Sequence, residues 1–260
     1  MKVMEKRLKY YELLMTYQDT SKYLEYNLPE GYHISFYQEG DEYEWSKIHV
    51  YSGEFTSIEK GLKHFHDFFD YFKDELSKRC FFIETDNGEK IATATISLLE
   101  EKEGIYEAAV DWVAIKEAYQ GKKLAKPLIS YLIKLAHELG HNKLILHTQT
   151  HTWLAAKLYL DFGFEPYQIN ESLYGWRILK TITNHEKLKE IEPLLEEEMY
   201  SKTAIKIVDE LNKIHGEKYV YQIWHKNGRH DVAVFDYKDY FEYQYYLEND
   251  KIRLEKVNLE

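Results

Sequence analysis

One stretch constrains this chain more than any other. VDWVAIKEAYQGKKLAKPLISYLIKLA, beginning at Val110, reads as a strand, a short loop and a helix. The apolar run up to Ile115 suits a central strand. Leu124, Leu128, Leu132, Leu135, Ala136 and Leu139 then form one apolar stripe at helical spacing, which Gly140 is placed to stop. The loop Gln120-Gly121-Lys122-Lys123-Leu124-Ala125 opens that helix, so unpaired backbone N–H groups point outward with the positive end of the helix dipole. Such an end is an anion site by construction, and phosphate is its common occupant. Lys122, Lys123 and Lys126 add positive charge. The plainer alternative is an ordinary strand–helix turn with solvated lysines.

The flanking segments suggest how this unit is framed. The first ~30 residues read as a tyrosine-rich helical arm, and residues 28–37 as a turn entering a first strand. Residues 58–76 carry Leu62, Phe65, Phe68, Phe69 and Phe72 at helical spacing. Two β-prone runs, 80–86 and 91–99, flank Asn87-Gly88 and predict a hairpin. Residues 106–115 form a third run, 143–150 a further strand, and 153–162 a short helix with Thr152 at its N-cap and Gly163 past its end. Residues 164–179 read as extended chain. From His185 the pattern changes to two helices, 186–199 and 202–214, and a β-meander with turns at Asn227-Gly228 and Asn249-Asp250. The expected domains are an arm at 1–27, a mixed α/β domain at 28–182 and a small α+β unit at 183–260.

Composition narrows the function classes. The 260 residues exceed the usual ~100–200 of a single domain. With 44% hydrophobic and 16% aromatic residues the chain has ample material for a core. A net charge of −11 argues against nucleic acid or an anionic membrane as partner. A single cysteine, Cys80, and an N-terminus without an apolar core lead us to expect a cytoplasmic protein. No apolar run approaches the ~18 residues of a membrane span.

A second stretch, THTWLAAKLYLDFGFEPY from Thr150, gives the loop its context. Together the two segments resemble the GNAT superfamily of N-acetyltransferases. The phosphate loop of that family reads Gln/Arg-x-x-Gly-x-Gly/Ala, and its later helix Asn-x-x-Ala-x-x-x-Tyr-x-x-x-Gly-Phe. This chain supplies Gln120, Gly121, Leu124 and Ala125 in the first, and Ala155, Tyr159, Gly163 and Phe164 in the second. The resemblance spans residues 28–179, with its motifs within 110–164. Two positions depart from it. Lys123 replaces the loop's middle glycine, where the backbone is not free to take a positive φ, and Thr152 replaces the asparagine.

The resemblance implies a fold in which two central parallel strands, here 110–115 and 143–150, splay apart to hold acetyl-CoA. Its pyrophosphate would rest on residues 120–125, including Gly121, Lys122 and Lys123, and its pantetheine would pair with the backbone of Val113, Ala114 and Ile115. Thr152 and Ala155 would complete the cofactor contacts. It also implies direct attack of a primary amine on the thioester, with no metal. Tyr159 occupies the general-acid position. An alkyl amine with a pKa near ~10 must lose a proton before attacking, and Asp111 is the favoured base because strand alternation gives it the parity of Val113 and Ile115. Glu107 shares that parity, and His147 has a suitable intrinsic pKa. A strand amide near Val113 is the expected oxyanion donor.

Other patterns carry less. His137-Glu138-Leu139-Gly140-His141 matches the HExxH zinc pattern, but Gly140 should take His141 off the helix face. His66 and Asp70 suit a surface pair, Cys80 a small buried residue, and the C-terminal tyrosines 237, 240, 243, 245 and 246 cross-strand packing or a homodimer surface. The expected partner is a small-molecule or peptide amine, and the alternatives are a non-catalytic acyl-CoA-binding protein on the same fold and, more remotely, a zinc hydrolase.

Overall fold

The structure is a computed structural model describing residues 5, 7–55, 57–102, 105–216, 220–226, 229–235 and 240–257. Eleven strands and eight α-helices are formed by these residues. The strands are β1 (Glu12–Tyr17), β2 (Tyr32–Phe36), β3 (Cys80–Thr85), β4 (Lys90–Lys102), β5 (Ile105–Ile115), β6 (Leu144–Gln149), β7 (Glu165–Pro166), β8 (Val220–Lys226), β9 (Arg229–Phe235), β10 (Tyr240–Glu248) and β11 (Lys251–Val257). The helices are α1 (Glu42–Ser52), α2 (Ile58–Phe69), α3 (Leu76–Arg79), α4 (Ala125–Glu138), α5 (Trp153–Asp161), α6 (Leu173–Thr183), α7 (Glu196–Met199) and α8 (Lys202–His215). β1 to β7 make a mixed sheet ordered β2-β3-β4-β5-β6-β1-β7, and β8 to β11 a second, antiparallel sheet. The fold class is mixed α/β, as expected. By compactness the chain divides into Met15–His147 with Asp161–Glu165, and Met1–Leu14 with Thr148–Leu160 and Pro166–Glu260.

In the first unit the predicted hairpin forms, with Gly88 at φ +82° in its turn. β4 then pairs antiparallel with β5, and β5 pairs parallel with β6. The β5–β6 ladder consists of Ala109↔Ile145 and Val110↔Leu146, so β5 runs on from Asp111 to Ile115 beyond the pairing. One face of the sheet packs on α4, where Tyr131 meets Phe36 and Phe81. The other carries α1 and α2, with Trp45, Ile48, Phe65 and Phe69 set on Cys80, Phe82 and Ala114. α1 and α2 approach closely because α2 presents Gly61, where a β-carbon would lie 2.9 Å from Ser46 Cβ.

Four expectations of secondary structure are corrected. The helical arm contains β1 instead. Leu13, Met15 and Tyr17 are buried at every second position, a strand period obscured by the charged residues around them. A helix not expected at all, α1, forms at Glu42–Ser52. Its buried face includes Ser46 and His49, so the sequence lacks an apolar stripe. Residues 173–183 form α6 where extended chain was expected, burying Gly175, Trp176, Ile178 and Leu179 at helical spacing. The expected helix at 186–199 is a 3-10 turn at Glu186–Leu188 and the four-residue α7. Pro193 disfavours helix at the residue before it, and α6 claims the backbone there. Thr181 Oγ1 donates to the Leu194 carbonyl at 3.1 Å, and Arg177 Nε to that of Glu192 at 3.1 Å.

In the second unit α8 packs on the antiparallel sheet through Ile207, Val208, Leu211, Tyr243 and Tyr245. Tyr243 and Tyr245 thus serve as core residues. Asn249 and Asp250 make the expected turn with φ of 49° and 64°, whereas Asn227-Gly228 and Tyr237 lie outside the described residues.

Candidate active site

The loop before α4 has the shape that an anion site needs. Gly121 takes φ +78° and Lys123 φ +63°. The left-handed conformation denied to Lys123 on steric grounds is therefore adopted, at a strain of about 1–2 kcal/mol for a residue with a β-carbon. This corrects the expectation that the lysine departs from the glycine's backbone shape. Leu124 is buried at 1% exposure and anchors the turn. α4 begins with no side-chain cap, so the N–H groups of Ala125 and Lys126 face outward without an intrahelical acceptor. Pro127, lacking an N–H, is tolerated in this first turn. Lys122, Lys123 and Lys126 are exposed, with Lys122 Nζ 4.3 Å from the Tyr119 ring and Lys126 Nζ 5.2 Å from that of Tyr26. Gln120 turns inward and donates from Nε2 to the Ile115 carbonyl at 3.1 Å. An uncapped helix end, two left-handed residues and three lysines fit a phosphate group.

β5 leads into that loop through a bulge that the alternation argument missed. Asp111 stands opposite Thr95 and Ala114 opposite Thr93, so Trp112 and Val113 together oppose Ala94. Trp112 takes φ +53°. The extra residue reverses the alternation, and Asp111 is in register with Ala114, not with Val113 and Ile115. Its expected parity is thus corrected, and Glu107, opposite Leu99, keeps the register of Asp111 rather than that of Ile115. Asp111 lies toward the α1–α2 face. There its carboxylate accepts from Ser97 Oγ, a partner the sequence did not single out. Burial pushes the Asp111 pKa upward, opposed by the Ser97 hydrogen bond and by nearby His147. His147, one residue past the last β5–β6 pair, is exposed. Two of the candidate bases are therefore neighbours.

The later motif belongs to the other compact unit. Thr152 closes a 3-10 turn running into α5. Its hydroxyl donates back to the Gln149 carbonyl at 3.1 Å and lies 3.2 Å from Thr148 Oγ1, which corrects its expected use as a forward N-cap. Ala155 is half-buried, and Tyr159 is buried at 7% exposure. In the HExxH pattern, Gly140 at φ +84° turns the chain out of α4, and His141 Nε2 lies 2.9 Å from Arg79 Nη1. A guanidinium stands where a metal would be held. His66 meets Asp70 at 3.0 Å on the surface, and burial pushes the Cys80 thiol up to about 11.

No curated protein matches the chain. Among solved structures, a GCN5-related N-acetyltransferase from Sphaerobacter thermophilus is 16% identical with a TM-score of 0.48, covering 62% of this chain and 49% of that one. A GNAT-family acetyltransferase from Colwellia psychrerythraea is 14% identical with a TM-score of 0.47, covering 62% and 55%. A tandem GNAT protein from the clavulanic acid biosynthesis pathway is 13% identical with a TM-score of 0.46, covering 63% and 52%. The matched regions make up about half of each of these structures. The assignment rests on sequence: residues 45–164 match the sequence model described as the Acetyltransferase (GNAT) family. Through residues 45–164, this chain carries an acetyltransferase domain of the GNAT family.

Proposed function

We propose that the protein transfers the acetyl group of acetyl-CoA to a primary amine by direct attack within a ternary complex. The observation that carries this reading is the end of β5: a bulge at Trp112–Val113 feeds an uncapped α4 N-terminus through a loop held left-handed at Gly121 and Lys123. The amides of the loop and of Ala125 and Lys126 bind the pyrophosphate, helped by Lys122, Lys123 and Lys126. The backbone of Val113, Ala114 and Ile115 aligns the pantetheine. A bulged amide at Val113, released from regular pairing, stabilises the oxyanion.

Asp111, with His147 beside it, takes the proton from the attacking ammonium. Its upward-shifted pKa suits it to that role. The nitrogen bonds to the acetyl carbon, the carbon–sulfur bond breaks, and the sulfur leaves with its electron pair. Tyr159 supplies a proton to this thiolate and is reprotonated by the second proton that the acylated nitrogen gives up, so the products are free CoA and the neutral N-acetyl amide. Thr152 and Ala155 contact the cofactor beside it. No metal takes part, and we assign the protein to the cytoplasm, with an accessory unit at 183–260 following the catalytic domain in sequence.

Incubation with acetyl-CoA and a panel of amines, followed by mass spectrometry, tests this. Equal amounts of CoA and N-acetylamine should form, and the protein mass should remain unchanged. A stable acetylated protein, or no N-acetyl product from any amine, contradicts the proposal.

A further inference from the structure

The α1–α2 face holds a cluster of rings centred on the bulge residue. Ring centroids lie 4.5 Å (His64), 5.3 Å (His49 and Trp45) and 5.7 Å (Phe55 and Phe68) from Trp112. Trp45 and His49 are buried, at 0% and 1% exposure, while Phe55, His64, Phe68 and Trp112 are half-buried and form a rim that reaches the surface. Within this cluster Trp45 Nε1, both ring nitrogens of His49 and Nε2 of His64 have no hydrogen-bond partner. Unpaired polar groups at such depth are uncommon in native proteins and point to a ligand that pairs with them. His49 is uncharged. Burial is the main cause, His64 adds to it, and the Trp112 backbone opposes it slightly without forming a regular hydrogen bond.

The chemistry of this rim selects among amines. The carboxylates on this face are already engaged, Asp67 of α2 with Lys63 and Asp111 of β5 with Ser97. A polyammonium chain lying among these rings would lose hydration with only the single Asp111 carboxylate to offset its several charges. An aromatic body would instead gain edge-to-face and stacked contacts with Phe55, Phe68 and Trp112. Trp112 also adjoins Asp111 in sequence, so a ring seated on it brings its amine within a residue's length of the proposed base.

We propose that the acceptor is an arylalkylamine, its ring seated on Phe55, Phe68 and Trp112 and a polar substituent directed toward His49 and Trp45. This rests on the acetyl-transfer reading above. The proposed step is the one already balanced there, with the arylalkylamine nitrogen as the attacking atom.

The test compares phenethylamine, tyramine, spermidine and a lysine-containing peptide as acceptors for the full chain, alongside calorimetric titration of acetyl-CoA. Phenethylamine and tyramine should show kcat/KM at least ~30-fold above spermidine and the peptide. Phe55→Ala and the milder Phe68→Leu should each lower that preference about tenfold through KM, with acetyl-CoA affinity unchanged. Efficient acetylation of spermidine or the peptide overturns this inference alone, as does an aryl preference that survives both substitutions. Failure of the wild-type chain to bind acetyl-CoA overturns the underlying acetyl-transfer reading and this inference with it.

Discussion

His49→Phe should make the protein less sensitive to acid. The imidazole is 1% exposed, burial holds its pKa at about 3, and neither ring nitrogen has a hydrogen-bond partner. The unfolded chain protonates the same ring at an ordinary pKa of about 6.5. The folded value is therefore depressed, so the neutral ring's contribution is complete above pH 6.5. It is lost as pH falls toward 3, because only the unfolded state takes up the proton. The slope is roughly 1.4 kcal/mol per pH unit in that window, and the loss from pH 7 to pH 4.5 is about 2.5 kcal/mol. Urea titrations followed by tryptophan fluorescence at the two pH values read this directly. With an m-value of roughly 2–3 kcal/mol/M, the wild-type midpoint should fall about 1 M further than that of the variant. His64 and His141, whose pKa values burial also lowers, remain in both proteins and cancel in the comparison. Parallel losses in wild type and variant would refute the argument that the fold excludes a proton from His49.

Three further substitutions probe the site. Lys123→Gly removes about 1–2 kcal/mol of left-handed strain but adds roughly 0.4–1 kcal/mol of unfolded-chain entropy. Melting should thus change by no more than a few degrees, whereas destabilisation beyond ~2 kcal/mol would show that the lysine side chain holds the loop. Asp111→Asn should stabilise the protein above the Asp111 pKa, where the folded state bears a buried carboxylate, and this gain should vanish as pH falls through that pKa. The same change should lower turnover by ~100-fold or more if Asp111 is the base, and a fully active variant would transfer that role to His147. Tyr159→Phe should reduce kcat by at least ~10-fold while leaving the acetyl-CoA Kd unchanged. Unchanged kcat at saturating acceptor would remove its acid role.

The sequence revealed the parts of the fold where pattern and burial coincide. The Asn87-Gly88 hairpin, the α4 stripe and its Gly140 stop all formed within a few residues of expectation. It concealed the parts where polar residues are buried. α1 was missed because Ser46 and His49 share its buried face, and β1 because Leu13, Met15 and Tyr17 sit in a charged, tyrosine-rich setting. At the site, motif spacing marked the loop before α4, whose left-handed turn lies at Gly121 and Lys123, but strand alternation misplaced Asp111 because no local signal marks the left-handed Trp112. A bulge is set by tertiary pairing with β4, which a single strand's sequence does not encode. The ring cluster escaped notice for a similar reason, since its members come from α1, α2, their connection and β5.

Everything proposed for the site depends on the loop at residues 120–125 and the first turn of α4 binding the pyrophosphate of acetyl-CoA. Calorimetric titration of acetyl-CoA into the wild-type chain and into Gly121→Asp tests it most directly, because that change places a carboxylate among the amides and asks a β-carbon to adopt φ +78°. Saturable wild-type binding in the micromolar range is expected, with a loss of at least ~30-fold in the variant and the folded state retained by circular dichroism. Equal affinity in the two proteins, or no wild-type binding at high micromolar concentration, would contradict it.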